Sequence, residues 1–279
     1  MLRATFCHLP GIGPVSEAAL WRSGCRSWDD FLGGQGTGAV PAERRRAWEE
    51  ELRRSHDALA RRDAGFFAAR LPPSELWRIA PEFRDEIAYL DIETTGLSPH
   101  EGIVTVVSVH GGGRTRSFVA DEDLEELPAY LRPFPVLATF NGRLFDVPFL
   151  EARFPQWVPP PAHLDLRFIL YRIGQAGGLK RIEERLGVGR SEGVKGVDGL
   201  EAVRLWHRHR AGDERALPRL VAYNRADTVN LEPLLDLAVR QLTERTRRLG
   251  LGEVPTAAVG GGGGRSGGVA GTQMVNNFP

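Results

Sequence analysis

The feature that most constrains the fold is the apolar segment "IAYLDIET" at residues 87–94, which carries two carboxylates near its end. Its apolar and β-branched residues predict a buried β-strand. Because alternate residues of a strand face the same way, Asp91 and Glu93 project side by side from one face, while Ile92 points into the opposite layer. The segment therefore predicts a strand with packed residues behind it and a pair of close carboxylates in front.

Strands and helices alternate from about residue 82 to residue 250, which is typical of a layered α/β domain. The glycine-rich segment "HGGGRTR" between the second and third strands predicts an antiparallel hairpin. The predicted strands span residues 87–94, 103–110, 115–120, 136–141 and 163–166. The predicted helices of this region span residues 121–131, 148–154, 179–186, 199–210 and 217–248.

Two segments of different composition flank the α/β region. Residues 1–80 have a helical pattern, with apolar residues at helical spacing among Arg, Glu and Ala, that ends at Pro72 and Pro73. Residues 251–279 are too rich in glycine to form a core, and we expect a disordered tail there. The predicted organisation is therefore a helical region at 1–80, an α/β domain at 81–250 and a tail at 251–279.

Composition argues against several classes of protein. Lys and Arg together number 36, as do Asp and Glu, so no overall charge draws the chain to nucleic acid, membranes or acidic substrates. The two cysteines, Cys7 and Cys25, do not form the framework of a small secreted domain. The first residues lack a signal-peptide pattern, and no run approaches the roughly 18 apolar residues of a membrane span. We therefore expect a cytoplasmic protein that does not enter a membrane.

Two carboxylates as close as Asp91 and Glu93 repel each other unless a cation lies between them or one of them takes a proton. Hard oxygen ligands of this kind suit Mg²⁺ or Mn²⁺. The alternative is that both are edge carboxylates that cap the next helix. The pair alone leaves these two interpretations open.

Two later segments contain acidic residues in positions typical of an active site. The segment "ATFNGRLFDVPFLEARF" predicts a strand, a turn at Asn141–Gly142 and a helix, which puts Asp146 at a strand-to-helix junction. The segment "LVAYNRADTVNLEPLL" predicts a helix on which Tyr223 and Asp227 share one face, close to apolar residues. A buried and unpaired Asp would be unfavourable, and a metal site would explain it.

The segments "DIETTG", "FNGRLFDVPFL" and "YNRAD" resemble, in this order, the three exonuclease motifs of the DEDD superfamily of 3′–5′ exonucleases. The resemblance covers about residues 82–237 and implies a ribonuclease H-like fold, which is a mixed five-stranded sheet with the second strand antiparallel and helices on both faces. Tyr223, four residues before Asp227, resembles the tyrosine subclass, because the histidine subclass has His where this chain has Ala222. The segments "HLDL", "GLKRIEERLGV" and "DGLEAVRLWHRH" further resemble the YprB-like members.

The resemblance implies a two-metal hydrolase of nucleic acid. The ligands of two Mg²⁺ or Mn²⁺ ions would be Asp91, Glu93, Asp146 and Asp227, and Tyr223 would orient the attacking water or help to deprotonate it. The implied activity is exonuclease cleavage in the 3′–5′ direction of a single-stranded or frayed end. The alternatives are a structure-specific endonuclease on the same fold, a non-catalytic nucleic-acid-binding module and a structural cation site. Because the chemistry acts on the phosphate, DNA and RNA are both open as substrates.

Further residues are candidates for contact with the substrate strand. In the family, the segment after the first two ligands meets the terminal nucleotide, and Lys180 opens a helix whose N-terminus adds partial positive charge. The alternative for Phe145 is core packing against Phe149, and the alternative for Lys180 is a solvated charge. The candidates are Thr94, Thr95, Leu97, Asn141, Phe145 and Lys180.

The segment at residues 8–32 resembles a helix-hairpin-helix element. Its turn, Gly11–Ile12–Gly13, would offer backbone N–H groups to a nucleic-acid phosphate. Glu17 departs from the family pattern, which usually has a small apolar residue at this position. The alternative is a purely structural hairpin that packs on the catalytic domain.

Overall fold

The central feature of the computed structural model, which describes residues 1–189 and 199–251, is a five-stranded sheet. The strand order is β3-β2-β1-β4-β5, and β2 runs antiparallel to both of its neighbours, while β1, β4 and β5 are parallel. The predicted mixed sheet with an antiparallel second strand is therefore confirmed. The strands are β1 (Ile87–Thr94), β2 (Val104–Gly111), β3 (Arg114–Val119), β4 (Val136–Thr139) and β5 (Ala162–Asp165).

Ten α-helices in the described part of the chain accompany the sheet. Among those residues, no helix is both long and apolar enough to cross a membrane. The predicted tail lies outside the described residues, apart from its first position. The helices are α1 (Pro14–Arg22), α2 (Trp28–Leu32), α3 (Ala42–Ala60), α4 (Ala64–Ala68), α5 (Leu127–Leu131), α6 (Asp146–Arg153), α7 (Leu166–Arg172), α8 (Leu179–Leu186), α9 (Gly199–Arg210) and α10 (Ala216–Leu251).

The central strand β1 separates two hydrophobic layers. Ile87 and Tyr89 pack into one core with residues of the N-terminal helices and of α10, whereas Leu90 and Ile92 pack into a second core with β2, β3 and α9. This alternation is the one expected of a strand with helices on both faces. By the same alternation, Asp91 and Glu93 lie on the same face of β1 as Ile87 and Tyr89. The carboxylates are therefore next to the end of the first core.

Some elements end earlier than predicted because local geometry stops them. β4 ends at Thr139, and Asn141 then adopts a left-handed backbone with a φ of 66°, as the predicted turn requires. The predicted helix at 121–131 is a 3-10 turn followed by the short α5. The Asp123 carboxylate accepts a hydrogen bond from the Val119 N–H at 2.8 Å, which holds the chain in a turn before α5 begins.

Helix α7 has no counterpart among the predicted helices. It follows β5 directly, and the Asp165 side chain caps it by accepting a hydrogen bond from the Arg167 N–H at 3.1 Å. The helix has only seven residues, which is too few for a helical period to stand out in the sequence.

The last helix, α10, runs for 36 residues with Pro233 inside it. The sequence predicts a kink or a restart at Pro233, and the helix does not restart. Pro233 is exposed, and it lies one turn after Val229, which is 37% exposed. Water can therefore satisfy the carbonyl that loses its N–H partner, and the helix continues.

A buried ionic network fastens α1 to the segment that leads into β1. The Glu17 carboxylate accepts hydrogen bonds from the Thr5 hydroxyl at 2.7 Å and from the Phe6 N–H at 2.6 Å. The Arg78 guanidinium, which is 1% exposed, pairs with Glu17 at 2.7 Å and with Glu75 at 2.7 Å. The departure of Glu17 from the family pattern is therefore explained by its role as the buried partner of Arg78.

We expect Glu17→Ala to lower the free energy of unfolding by about 3–5 kcal/mol, because it leaves the buried Arg78 charge with one carboxylate fewer. Urea denaturation measures the change. The matched control is Glu50→Ala on α3, because Glu50 forms only surface ion pairs with Arg53 and Arg54 and its loss should cost under about 0.5 kcal/mol. Equal small losses in the two variants would contradict a structural role for the network.

Candidate metal centre

Three carboxylates from two distant parts of the chain meet at the end of β1. Asp91 and Glu93 come from β1 and Asp227 from α10, and one carboxylate oxygen of each lies within 4.8 Å of the others. Glu93 and Asp227 are buried, and Asp91 is half-buried. The sequence prediction that Asp227 faces inward agrees with this position.

Burial and mutual repulsion make the negative charge of these carboxylates unfavourable, which favours a bound cation. Burial, and then the charges of Asp227, Asp146 and Glu93, raise the pKa of Asp91 well above its ordinary value. Burial and the charge of Asp227 raise the pKa of Glu93 to about 8, against an opposing effect of Lys180. A set of hard oxygen donors with this excess of negative charge fits Mg²⁺ or Mn²⁺. A divalent ion there would offset both the repulsion and the loss of hydration.

Asp146 lies beside the cluster rather than inside it. It is the first residue of α6, it is 3% exposed, and it does not belong to the group of carboxylates within 4.8 Å of one another. Its charge nevertheless raises the pKa of Asp91, so the two carboxylates are close enough to interact. Burial raises the pKa of Asp146 itself to about 7, although backbone N–H groups of Asp146 and Ile92 oppose the shift.

Tyr223 lies one turn before Asp227 on α10. Its hydroxyl donates a hydrogen bond to Asp227, and burial together with the nearby carboxylates raises the pKa of the hydroxyl, so that it keeps its proton. The Lys180 Nζ of α8 lies 4.7 Å from the centre of the Tyr223 ring. The structure therefore brings Lys180 to the carboxylate cluster, where it also lowers the pKa of Glu93.

Asn224 is a part of the centre that the sequence analysis missed. Its side chain is fully buried, and the Nδ2 atom donates a hydrogen bond to Asp91 Oδ2 at 2.8 Å. A hydrogen bond from Asn224 also lowers the pKa of Glu93, so one neutral amide serves both carboxylates of β1. The signal in the sequence was its helical spacing from Leu220 and Leu231, which places Asn224 on the buried face of α10.

The loop after β1 has its own internal bonds. The Thr94 hydroxyl donates to the Gly96 carbonyl at 2.6 Å, and the Thr95 hydroxyl accepts from the Ile103 N–H at 3.0 Å. A Cβ at Gly96 would lie 3.0 Å from the Cα of Gly102, so the glycine allows two parts of the loop to pack closely.

Of the three predicted contacts in this loop, Leu97 is the one whose side chain is open to a ligand. It is 84% exposed, whereas Thr94 is buried and Thr95 is half-buried. The hydroxyl groups of Thr94 and Thr95 therefore hold the loop in shape, and Leu97 forms its exposed tip.

The other predicted contacts lie on the loop between β4 and α6. The Asn141 N–H donates to Asp165 at 2.8 Å, and its side-chain oxygen accepts from Arg167 at 2.6 Å. The Phe145 ring packs against Phe149, with the ring centres 4.9 Å apart, which is the packing that the alternative interpretation expects. Asn141 is thus fixed by its neighbours, and Phe145 is partly engaged in the core.

The turn at residues 11–13 projects from the N-terminal helices. Gly11 is exposed with a φ of 79°, Ile12 is buried, and Gly13 is the N-cap of α1. The chain before the turn forms a 3-10 helix at Leu2–Ala4 and then hydrogen-bonded turns, where a complete helix-hairpin-helix element has an α-helix. The turn lies apart from the carboxylate cluster in the sequence, and a phosphate contact there stays a prediction.

We expect Asn224→Ala to weaken Mn²⁺ binding by about tenfold, because the amide holds a ligand carboxylate in position. Isothermal titration calorimetry measures the affinity. Asn230→Ala is the matched control, because the Asn230 side chain is also on α10 and donates to Glu183 at 2.9 Å, away from the β1 carboxylates. An equal loss of affinity in both variants would show that only the stability of the helix had changed.

Solved structures with a similar fold include three from enzymes. A family B DNA polymerase from Pyrobaculum calidifontis is 18% identical over 61% of this chain and 26% of the polymerase, with a TM-score of 0.45. The apo form of a nuclease is 21% identical over 64% of this chain and 92% of its own, with a TM-score of 0.42. Brucella melitensis NrnC with bound Mg²⁺ is 22% identical over 61% of this chain and 84% of its own, with a TM-score of 0.38. The chain thus spans about a quarter of the polymerase.

No curated protein matches the chain in sequence. A protein-family model described as the RNase_H superfamily matches residues 88–239, which is more than half of the chain. The matched residues include all of β1 except Ile87, with both of its carboxylates, and the part of α10 that carries Asp227. By this match and by its mixed five-stranded sheet, the chain belongs to the RNase H superfamily.

Proposed function

We propose that this protein is a divalent-metal-dependent 3′–5′ exonuclease that hydrolyses single-stranded or frayed nucleic acid. The observation that carries the proposal is the meeting of Asp91, Glu93 and Asp227 within 4.8 Å in a largely buried site. Membership of the RNase H superfamily supports phosphodiester chemistry at that site. The resemblance of the three motifs to the tyrosine subclass of the DEDD superfamily, and to its YprB-like members, supports the finer assignment and the direction of cleavage.

Four carboxylates would hold the metal. Asp91, Glu93 and Asp227 form the closest group, and Asp146 adds a buried carboxylate beside Asp91. Two Mg²⁺ or Mn²⁺ ions, when bound, would supply the positive charge that activates a water and stabilises the leaving oxygen of the phosphodiester.

The other residues of the site would position the reactants. The Tyr223 hydroxyl holds its proton and reaches Asp227, so it is placed to orient a water by a hydrogen bond. Asn224 keeps the Asp91 carboxylate in a fixed orientation. The exposed Leu97 side chain would meet the terminal base, with Thr94 and Thr95 holding the loop behind it. Asn141, Phe145 and Lys180 would line the path of the strand.

The test is digestion of 5′-labelled single-stranded DNA and RNA with Mn²⁺. Wild type should shorten the strands stepwise from the 3′ end, Asp91→Asn should lose activity to background, and Tyr223→Phe should slow it by about a hundredfold. Tyr171→Phe on α7 is the matched control, because Tyr171 is 70% exposed and does not belong to the cluster.

The digestion assay, together with measurements of nucleic-acid and Mn²⁺ binding, separates the alternative functions. Cleavage of a circular or 3′-blocked strand would indicate an endonuclease. Binding without any cleavage would indicate a nucleic-acid-binding module, and Mn²⁺ binding with neither would indicate a structural cation site. Digestion by Asp91→Asn at the wild-type rate would exclude the proposed site.

We also propose that the two regions of the chain have different roles. The α/β region at 81–250 would carry out hydrolysis, and the helical region at 1–80 would hold the substrate through the turn at Gly11–Ile12–Gly13, in which Gly11 is exposed. The N-terminus of α1 is suited to a phosphate, and the donors would be the N–H groups of Gly11 and Gly13, because the Ile12 N–H donates to the Leu9 carbonyl at 3.2 Å.

We expect the double substitution Gly11→Ala and Gly13→Ala to weaken binding of single-stranded nucleic acid by about tenfold. Ala is strained at the positive φ of Gly11, so the turn would shift and misplace a backbone N–H, at a cost comparable to one hydrogen bond to a charged group. Fluorescence anisotropy measures the affinity. Gly24→Ala is the matched control, because Gly24 also has a positive φ, of 96°, and follows α1 away from the turn. If the double variant and Gly24→Ala both bind like wild type, the turn is structural.

A further inference from the structure

A groove of about 410 Å³ lies beside the metal centre and has no part in the function proposed above. It is formed by the 3-10 segment Pro73–Ile79, by the loop between β4 and α6, by the end of β5 and by α7. Most of the residues that line it are apolar. Its lining includes Leu76, Arg143, Leu144, Phe168 and Ile169.

Two large apolar side chains of the groove are open to solvent. Leu144 is 67% exposed and Phe168 is 51% exposed. They come from different elements and line the same concave surface, where a flat apolar ligand could contact both. An aromatic ring at such a surface is the feature that proteins use to stack an unpaired base.

One short loop connects the groove to the metal centre. Arg143 and Leu144 line the groove, and Asp146, two residues after Leu144, lies beside Asp91 and close enough to the groove residue Asp165 for their charges to interact. The loop is held in place by Asp165, which accepts hydrogen bonds from the Asn141 N–H at 2.8 Å and the Arg143 N–H at 3.2 Å.

The same Asp165 carboxylate caps α7, the helix that carries Phe168. One buried carboxylate therefore holds two walls of the groove, the loop and α7, in position.

The charge at the rim suits a nucleic-acid backbone. Arg143 lines the groove and is exposed, and it precedes Asp146 by three residues on the same loop. A strand with one phosphate at the metal centre could therefore place a neighbouring phosphate at Arg143. Positive charge beside an apolar, aromatic surface is the combination that binds single strands with little preference for sequence.

We propose that this groove binds an unpaired base of the substrate strand, with Phe168 and Leu144 contacting the base and Arg143 contacting the adjoining phosphate. The inference rests on the proposed function, because the ligand is a further nucleotide of the strand that the metal centre cleaves. It makes α7 and the Pro73–Ile79 segment a part of the substrate-binding surface, beyond the residues that the motif resemblance identifies.

The experiment measures binding rather than cleavage. Wild type is titrated, with Mg²⁺ rather than the more thiophilic Mn²⁺, against single strands whose linkages are phosphorothioates that resist hydrolysis, and a fluorescent adenine analogue is placed at successive positions from the 3′ end. Stacking should quench the analogue at one internal position. Phe168→Ala should abolish that quenching and weaken binding of the strand by about tenfold, with little effect on a dinucleotide too short to reach the groove. Leu144→Asp, which adds a negative charge to the wall, should weaken binding in the same way.

Tyr171→Ala is the matched control, because Tyr171 is an exposed aromatic residue of the same helix that does not line the groove. It should bind and quench like wild type.

Unchanged affinity and quenching in both Phe168→Ala and Leu144→Asp would overturn the proposal. A wild-type dimer that dissociates in Phe168→Ala would also overturn it, since the groove would then be an interface between copies of the chain. If wild type cleaves no substrate but shows quenching that depends on Phe168, the proposed hydrolysis fails while the base site stands.

Discussion

The repulsion among the carboxylates at the end of β1 is the constraint on which the rest of the structure depends. Three carboxylates within 4.8 Å of one another would move apart in a flexible chain. They are held because the same strand and helix that carry them are packed together. Ile87 and Tyr89 of β1 share a hydrophobic core with Leu231 and Leu234 of α10. Apolar packing below the site therefore opposes the electrostatic strain within it.

A second set of buried charges holds the outer parts of the molecule. Arg78 joins Glu17 of α1 to Glu75, and Glu75 also pairs with Arg172 of α7 at 3.1 Å. The N-terminal helix α1 is thus connected through three successive ion pairs to the helix that forms a wall of the groove. The Arg78 network pairs its carboxylates with Arg side chains of the chain, whereas the carboxylate cluster has an excess of acidic groups whose charge a bound cation would balance.

The sequence predicted the elements whose pattern of apolar residues lies within one continuous segment. β1 was predicted at its observed bounds because its alternation is clear, and α8 and α9 were also predicted at theirs. The short α7 was missed because it depends on a capping contact at Asp165 more than on its own period. Asn224 was missed because its role depends on Asp91, which lies 133 residues away in the chain. Only the folded loop shows that Gly96 packs against Gly102.

The long sequence separation between β1 and α10 has a thermodynamic consequence. The hydrogen bond between Asn224 and Asp91 closes a loop of 133 residues, so the carboxylate cluster exists only when most of the chain has folded. An ion that binds the complete cluster therefore binds the native state and not the unfolded chain. By mass action its concentration sets part of the stability of the protein, and the temperature of unfolding reports occupancy of the site even when no substrate is present.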